Sequence, residues 1–409
     1  AVNGRSIPAM VDGLKPSQRK VLYACRKRNN NEIKVSQLAG YISAETSYHH
    51  GEASLMGTII NMAQDYVGSN TMNLLKPNGQ FGSRYQGGGD AASPRYIFTQ
   101  LSEFASKLFK KEDDTLLKYL EDDGKQIEPE YYVPTMPLIL INGTGGIGTG
   151  YSTTVPCFNP EDIKYNITKI LEAKETKEMI PWYRGFRGTV EKVMDTQFIV
   201  KGLWRKIGER AIEVTELPIG RWTQEFKELL DSLENSKIES YENHSTDSEV
   251  KIILKVTDEF IFDYEHTQPD SDGITYVEKM LKLTTNKTLT NIHLYNSNNQ
   301  IKKYNNALEI IDEFFRTRYD LYVKRKDYLL NILKNKINIL KSKIRFINDI
   351  IDENIVIYKK SKKDIISQLY SKEYILLNDN IITSVSDKPF EEVNNDYDYL
   401  IKMPIYSLS

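Results

Sequence analysis

Arg95 and Tyr96 form an adjacent pair with the chemistry of a nucleophile beside a fixed cation. They follow a run of glycine and small residues that begins at Gly87. A neutral phenol is a weak nucleophile until its surroundings activate it. The planar arginine guanidinium matches the geometry of phosphate oxygens. The pair suggests attack by Tyr96 on a phosphodiester, with Arg95 stabilising the charge. A half-buried structural tyrosine beside a surface arginine is the alternative.

The first 34 residues are strongly basic, although the whole chain of 409 residues carries a formal net charge of only −2. They contain eight lysines and arginines against two acidic residues. Pro16 favours the start of a helix, which we predict from Ser17 to about Lys27. Lys15 and Arg19 flank its N-terminus, and a helix N-terminus with nearby cations suits a phosphate. A solvated helix face is the alternative.

Two adjacent histidines stand in the run Tyr48-His49-His50-Gly51-Glu52. Their spacing does not place two histidines on one helix face, and the chain has five histidines in all, so we do not predict a zinc site. Two interpretations stay open. His50 either has a capping and core role, or it hydrogen-bonds a reacting phosphate and helps the tyrosine lose its proton.

A second glycine-rich run, from Gly143 to Gly150, follows an apolar segment at 137–142 that we predict to be a buried strand. The run contains G-x-G-x-x-G, but the β-branched residues after it end at Pro156, so no crossover helix follows and we do not predict a dinucleotide site. Its single large apolar residue, Ile147, can wedge between base pairs and kink a duplex. The alternative is that Ile147 anchors the loop in the core.

Residues 111–130 hold eight acidic residues, which raises the question of a magnesium site. They are scattered around apolar residues, which favours a surface helix and turn. The two cysteines of the chain are too few for a disulfide framework and indicate a reducing compartment. No apolar run is long enough to span a bilayer, and no secretory signal opens the chain.

The coarse pattern is helical over residues 1 to about 110, with a loose helix-turn-helix between Ile33 and Tyr66. Alternating strand patterns prevail from about Phe158 to about 300. An uninterrupted helix is predicted from about Ala307 to Lys360, and its long apolar stripe requires a partner helix.

Several of these runs resemble one family. The segment from Asn78 to Arg84, continuing through Arg95-Tyr96, resembles the DNA cleavage region of type IIA DNA topoisomerases, and more closely the eukaryotic topoisomerase II branch than bacterial gyrase. The segments Arg5–Pro16, Tyr48–Glu52 and Asn142–Gly150 are similar to further motifs of that family. A Met-Pro-x-x-Ser-Leu sequence at 403–408 resembles one near its distal dimer gate.

The resemblance implies roles for particular residues. Tyr96 corresponds to the active-site tyrosine, Arg95 to its adjacent arginine, and His50 to a histidine of the cleavage site. Arg5, Lys15 and Arg19, with Lys20, would bind the DNA backbone near the scissile phosphate. Ile147 would intercalate to bend the DNA. No metal ligands are implied within the chain.

The fold class implied is α+β and multidomain. We expect a helix-rich winged-helix DNA cleavage domain at 1–157 and a mixed α/β tower domain at 158–300. A long coiled-coil helix with the distal gate is expected at 301–409, without the helix that returns along the coiled coil. The family's ATPase domain and metal-binding (TOPRIM) domain have no counterpart here, so Mg²⁺ and ATP are expected to bind outside this segment of a full-length chain.

The function implied is that of the DNA-binding and cleavage half of an ATP-dependent type II topoisomerase. Two protomers would each attack one strand through Tyr96, forming a 5′-phosphotyrosyl link in a transient double-strand break. The expected partners are duplex DNA, a second copy of the chain, and the TOPRIM and ATPase domains, but no membrane. The expected location is the nucleus for a cellular eukaryote, or a cytoplasmic viral factory for a large DNA virus. The alternatives are a non-catalytic DNA-bending and dimerisation module of the same fold, and a bacterial gyrase-type protein.

Overall fold

The computed structural model describes residues 5–378 and 381–404. The chain divides into two compact units, residues 1–321 and 322–409. Helices and strands are mixed throughout, and all the paired strands described below are antiparallel. Residues 405–408 of the Met-Pro-x-x-Ser-Leu sequence lie outside the described residues. The predicted boundaries at 157/158 and 300/301 stay predictions.

Three helices of equal length form the N-terminal part of the first unit: α1 (Pro16–Lys27), α2 (Val35–Thr46) and α3 (Glu52–Ala63). Pro16 begins α1 as predicted, because its missing N–H is not needed in the first turn. Fully buried side chains such as Leu22, Leu38 and Ile59 join the three helices in one core. The helix-turn-helix order predicted between Ile33 and Tyr66 is therefore present.

Short elements follow these helices. Strand β1 (Ile33–Lys34), which precedes α2, pairs with β2 (Phe98–Thr99), and α4 (Glu103–Leu108) follows. The acidic stretch at 111–130 is a 3₁₀ turn (Lys111–Leu116) and a hairpin of β3 (Tyr119–Asp122) and β4 (Lys125–Pro129), and not the surface helix we predicted. Here cross-strand pairing prevails over local helical propensity.

The apolar segment at 137–142 is buried as predicted, but it is a short helix, α5 (Leu138–Asn142), and not a strand. A short apolar run cannot be assigned to either state from its periodicity alone. The glycine run after it forms a hairpin of β5 (Thr144–Ile147) and β6 (Ser152–Val155). No crossover helix follows the hairpin, in agreement with the absence of a dinucleotide fold.

Residues 158–300, here called the mixed segment, begin with α6 (Pro160–Leu171). Strands β7 (Thr189–Met194), β8 (Gln197–Lys201) and β13 (Thr284–Thr288) form a three-stranded sheet with β8 in the centre. A four-stranded sheet contains β9 (Leu203–Lys206), β10 (Ala211–Glu216), β11 (Ile238–Asn243) and β12 (Ile252–Val256). Its strand order is β11-β12-β10-β9.

Three helices complete the mixed segment: α7 (Thr223–Leu233), α8 (Asp258–His266) and α9 (Tyr276–Met280). The four-stranded sheet and these helices enclose a separate apolar core that runs from Ile212 to Leu283. A hairpin of β14 (Ile292–Tyr295) and β15 (Ile301–Tyr304) then returns to the first core. Strand β14 lies beside β6, where the Thr154 N–H donates to the Asn291 carbonyl at 2.8 Å.

A single helix of 45 residues, α10 (Ala307–Ile351), ends nine residues before the predicted Lys360. The second unit also contains α11 (Lys362–Ser371), the hairpin of β16 (Leu376–Asn378) and β17 (Ile381–Thr383), and α12 (Asp398–Ile401). Its own core includes Phe346, Leu369 and Tyr397. Within the described residues, no helix is both long enough and apolar enough to cross a membrane.

A line of exposed apolar residues follows α10 within the second unit. Leu330, Leu333, Ile337, Leu340 and Ile344 alternate spacings of three and four, and each is at least 42% exposed. This is the heptad spacing of a coiled-coil seam. The predicted apolar stripe is present on the surface of this unit.

Candidate functional site

Tyr96 is at the tip of a surface loop (residues 93–97, the tyrosine loop) with 75% of its surface exposed. Arg95 is exposed beside it. The next residue, Ile97, is 1% exposed and belongs to the core. The Tyr96 N–H donates to the Ser93 carbonyl at 2.9 Å, which closes the turn. The buried anchor and the closed turn hold the phenol outward, so the alternative of a half-buried structural tyrosine is excluded.

Helix α2 supports the tyrosine loop from below. Its first two N–H groups, from Val35 and Ser36, donate to the carbonyls of Ile97 and Pro94, each at 3.1 Å. These donors have no partner within the helix, so the loop satisfies them. The partial positive charge of a helix N-terminus therefore lies under the loop, where it favours an anion nearby.

The glycine loop (residues 82–90) precedes the tyrosine loop and is closed by Asp90. The Asp90 carboxylate accepts hydrogen bonds from the Ser83 N–H at 2.8 Å and from the Ser83 hydroxyl at 2.5 Å. Gly82 has a φ of +99°, and a Cβ there would lie 2.6 Å from the Cα of Gly88. A side chain at position 82 would therefore force the loop apart, which is the physical reason for glycine.

Three of the predicted site residues share one cavity. Arg5, Lys20 and His50 line a volume of about 500 Å³, together with Ser17 and Ser54. Those two serines lie in the first turns of α1 and α3, so two helix N-termini meet at this cavity. Cations and helix N-termini at one cavity provide a favourable site for a phosphate. Tyr96 is not among the residues that line it.

His50 is exposed and contacts Tyr48 edge to face, with ring centroids 5.3 Å apart. The neighbouring His49 has its Nε2 atom 3.5 Å from a carboxylate oxygen of Asp122. Of the two interpretations of His50, the core role does not fit, because the ring is at the surface. The proton-transfer role with Tyr96 has no direct contact to support it.

Arg19 requires a correction, because it cannot bind DNA from where it lies. Its side chain is 7% exposed and forms an ion pair with the fully buried Asp12, with Nε 2.7 Å from the carboxylate. Burial lowers the pKa of Arg19, but Asp12 more than compensates, so its pKa is raised above the ordinary value. The Asp12 carboxylate also accepts the N–H groups of Leu14 and Tyr132, each at 3.0 Å. Arg19 supports the loop before α1.

Lys20 is also engaged within the protein. Its Nζ donates to the Thr46 carbonyl at 2.6 Å and lies 2.9 Å from the Glu128 carboxylate. The side chain is 15% exposed and still lines the cavity. Part of its charge is therefore neutralised by Glu128, which the sequence pattern did not show.

Ile147 is 85% exposed at the end of β5, so the alternative that it anchors the loop in the core is wrong. The hairpin beneath it is fixed to the start of α1. Lys15 donates from Nζ to the Gly145 carbonyl at 2.8 Å, and a Cβ on Gly146 would clash with the Ser6 carbonyl oxygen. Burial lowers the pKa of Lys15. The structure therefore joins the predicted phosphate-binding end of α1 to the hairpin that presents Ile147.

The described residues contain no group of three or more His, Cys, Asp or Glu side chains that could hold a metal ion. Several acidic residues of the 111–130 stretch are engaged by cations of the protein. Asp113 contacts Arg318 at 2.6 Å, Asp114 contacts Arg26 at 2.7 Å, and Glu128 contacts Lys20. This stretch therefore does not fit a magnesium site.

Sequence reasoning missed some residues of these surfaces. Ser17, His49 and Ser54 line the cavity, and Tyr151 is 45% exposed on the same hairpin as Ile147. The position of His49 beside His50 and the place of Ser17 after Pro16 were signals in the sequence. Ser54 had no such signal, because α3 meets α1 only in the folded chain.

Comparison with known proteins gives a consistent result. A family model for DNA gyrase/topoisomerase IV, of the A type, matches residues 5–409. The chain is 44% identical to DNA topoisomerase 2 of Candida albicans over 373 residues, which is 90% of this chain and 25% of that protein. It is also 44% identical to DNA topoisomerase 2-alpha of Homo sapiens over 380 residues, 91% of this chain and 24% of that protein. The chain thus spans about a quarter of the length of these relatives.

A solved structure also matches the whole chain. The crystal structure of the Plasmodium falciparum topoisomerase II DNA-binding, cleavage and re-ligation domain superposes with a TM-score of 0.86 at 41% sequence identity. The match covers 100% of this chain and 56% of that one.

Proposed function

Because the chain belongs to the type IIA DNA topoisomerases, the family that includes DNA gyrase and topoisomerase IV, we propose that it is the DNA-binding and cleavage part of a type II topoisomerase. The observation that carries the proposal is the 75% exposure of Tyr96 on a loop held rigidly from below. A nucleophile for a large substrate such as duplex DNA must project from the surface, and this phenol does.

In the proposed reaction, the Tyr96 oxygen attacks the phosphorus of a DNA phosphodiester. A bond from the phenol oxygen to phosphorus forms as the bond from phosphorus to the 3′ oxygen breaks, which leaves a 5′-phosphotyrosyl link and a free 3′ hydroxyl. Arg95, adjacent and exposed, stabilises the negative charge on the phosphoryl oxygens. The N-terminus of α2 under the loop contributes in the same direction.

We assign the cavity at the start of α1 and α3 to the DNA backbone. Arg5, Lys20 and His50 line it with two helix N-termini, which suits a phosphate at a fixed distance from the break. His50 therefore acts here as a phosphate ligand. Contacts of this kind hold the duplex in register without reading its bases, so DNA selection depends mainly on bendability.

We assign Ile147 to the wedge that bends the duplex. It is an apolar side chain, 85% exposed, on a hairpin fixed to the phosphate-binding helix through Lys15. An apolar residue inserted between base steps unstacks them and kinks the DNA. Because the same elements hold the wedge and the backbone cations, bending and gripping would occur together.

Other parts of the longer protein complete the proposed activity. Since the described residues of this chain do not form a metal cluster, Mg²⁺ would be held by the TOPRIM domain, and ATP by the ATPase domain. The exposed heptad line on α10 is a seam for another helix in a coiled coil. We expect a homodimer, since two strands must be cut, and a nuclear location, since the relatives from Candida albicans and Homo sapiens are eukaryotic.

The test is Tyr96→Phe in a protein that includes the metal-binding domain. With plasmid DNA and Mg²⁺, the wild type should give protein linked to 5′ ends on a denaturing gel, and the variant should give none while its DNA affinity is retained. Arg95→Lys is the companion variant, expected to keep the adduct at a lower rate because it loses the planar fork. Adducts that persist in Tyr96→Phe would reject the proposal in favour of the non-catalytic bending module.

A further inference from the structure

The glycine loop is attached to the mixed segment by a buried ion pair far apart in the sequence. Arg84 and Glu216 contact each other with side-chain exposures of 5% and 0%. Both guanidinium nitrogens, Nη1 and Nη2, take part. The Glu216 carboxylate also accepts the Leu217 N–H at 2.9 Å and the Arg187 N–H at 3.2 Å. The carboxylate is therefore fixed by its own backbone before it meets Arg84.

Further contacts bind the same loop to the same segment. The Tyr85 carbonyl accepts the Gln224 N–H at 2.9 Å, in the first turn of α7. The Tyr85 hydroxyl accepts from the Asn243 side chain at 2.9 Å. The indole of Trp222 lies so close to Gly87 that a Cβ there would clash with its Nε1 atom. The loop thus rests on β10, β11 and α7.

The tyrosine loop is the continuation of this anchored loop. Asp90 closes the glycine loop onto Ser83, and the Ala92 N–H donates to the Gln80 carbonyl at 2.8 Å just before the turn that carries Tyr96. On its far side the tyrosine loop is fixed by Ile97 and α2. One anchor lies in the N-terminal core, and the other lies in the mixed segment.

We propose that Glu216 is a positioning residue for Tyr96, acting through Arg84. It holds the glycine loop in the register that places the phenol oxygen in line with the scissile bond. The proposal rests on the proposed function of Tyr96. It assigns part of the control of DNA cleavage to a carboxylate in the mixed segment, 120 positions along the chain from the nucleophile.

The same strand offers a matched control. Glu213, also on β10, has a side chain that is 8% exposed and is bound by Arg205 Nε at 2.5 Å. Its ion pair joins two neighbouring strands of the sheet, β9 and β10, and does not involve the glycine loop. Glu213→Gln therefore removes a comparable charge pair from the same strand. Any general weakening of the sheet would appear in both glutamate variants.

The experiment compares Glu216→Gln, Arg84→Met, their double variant and Glu213→Gln in the intact enzyme with Mg²⁺. The substrate is a duplex whose cleaved 3′ fragment is too short to stay paired, so that re-ligation is prevented. We expect each Glu216 or Arg84 variant to form the covalent complex about tenfold more slowly, since displacements of about 1 Å can cost up to ~100-fold in rate. DNA affinity should stay within about twofold, because neither buried residue meets DNA.

The double variant should be no slower than the slower single variant, and Arg84→Lys should recover part of the rate. Glu213→Gln should cleave at the wild-type rate. Cleavage at the wild-type rate by both Glu216→Gln and Arg84→Met, or equal slowing by Glu213→Gln, would overturn the positioning role.

Hydrogen exchange separates this proposal from the proposed function. Peptides covering residues 82–97 should exchange faster in Glu216→Gln than in Glu213→Gln, and this does not require cleavage. Unchanged exchange there overturns the positioning role even when adducts form. A wild-type enzyme without adducts overturns the proposed function, and the exchange measurement still decides whether Glu216 fixes the loop.

Discussion

The exposed wedge Ile147 allows the effect of one substitution to be worked out in advance. Replacing it by alanine removes about three methylene-sized groups. Burial of such groups contributes about 0.8 kcal/mol each, and partial burial between base pairs reduces the sum to about 2 kcal/mol. At about 1.4 kcal/mol per factor of ten, the bent complex should become about 30-fold less populated relative to the straight complex. The fold itself should be unaffected within about 0.5 kcal/mol, because the side chain is 85% exposed.

The assay is energy transfer between dyes at the two ends of a short duplex, with the wild type, Ile147→Ala and Thr149→Ala. Thr149 is an exposed polar residue of the same hairpin, so it controls for damage to the turn. Ile147→Leu, which keeps the apolar volume, should bend DNA nearly as well as the wild type. An unchanged bend in Ile147→Ala would refute the wedge. A large loss of stability in that variant would contradict the exposed position.

Two further predictions concern the buried groups of the first unit. Asp12→Ala should lower the free energy of unfolding by about 3–5 kcal/mol in urea denaturation, because it leaves Arg19 buried without its partner, whereas Glu45→Ala, which breaks the more exposed pair with Lys27, should cost about 1 kcal/mol or less. Equal losses in the two variants would contradict this ranking. Burial raises the pKa of Cys25 to about 12 and that of Cys157 to about 11, so neither thiol should react with a disulfide reagent at pH 8 until the chain unfolds. Because these pKa values are higher in the folded state, the stability they contribute is fully present below about pH 9 and is lost as the pH rises towards 12, which denaturation between pH 8 and 11 can measure. Rapid labelling of both thiols in the native protein would count against it.

The elements near the site could be predicted where the pattern is local. Pro16 fixes the start of α1 because proline lacks the N–H that the first turn does not need. The glycines before Tyr96 predicted an open backbone, and Gly82 does take a positive φ. The apolar segment at 137–142 shows the limit of such reasoning, since burial was predicted but helix was mistaken for strand.

The chemistry of Tyr96, Arg95 and Ile147 was contained in the sequence alone, because residue type and the neighbouring glycines indicate what a loop can present. Whether a given cation is free was decided only by the tertiary structure. Arg19 is bound by Asp12, and Lys20 by a carboxylate 108 positions away. Glu216 lies 132 positions from Arg84, yet the two form a single buried pair. Long-range pairing depends on how the cores bring distant segments together, and charge and spacing along a chain do not contain that information.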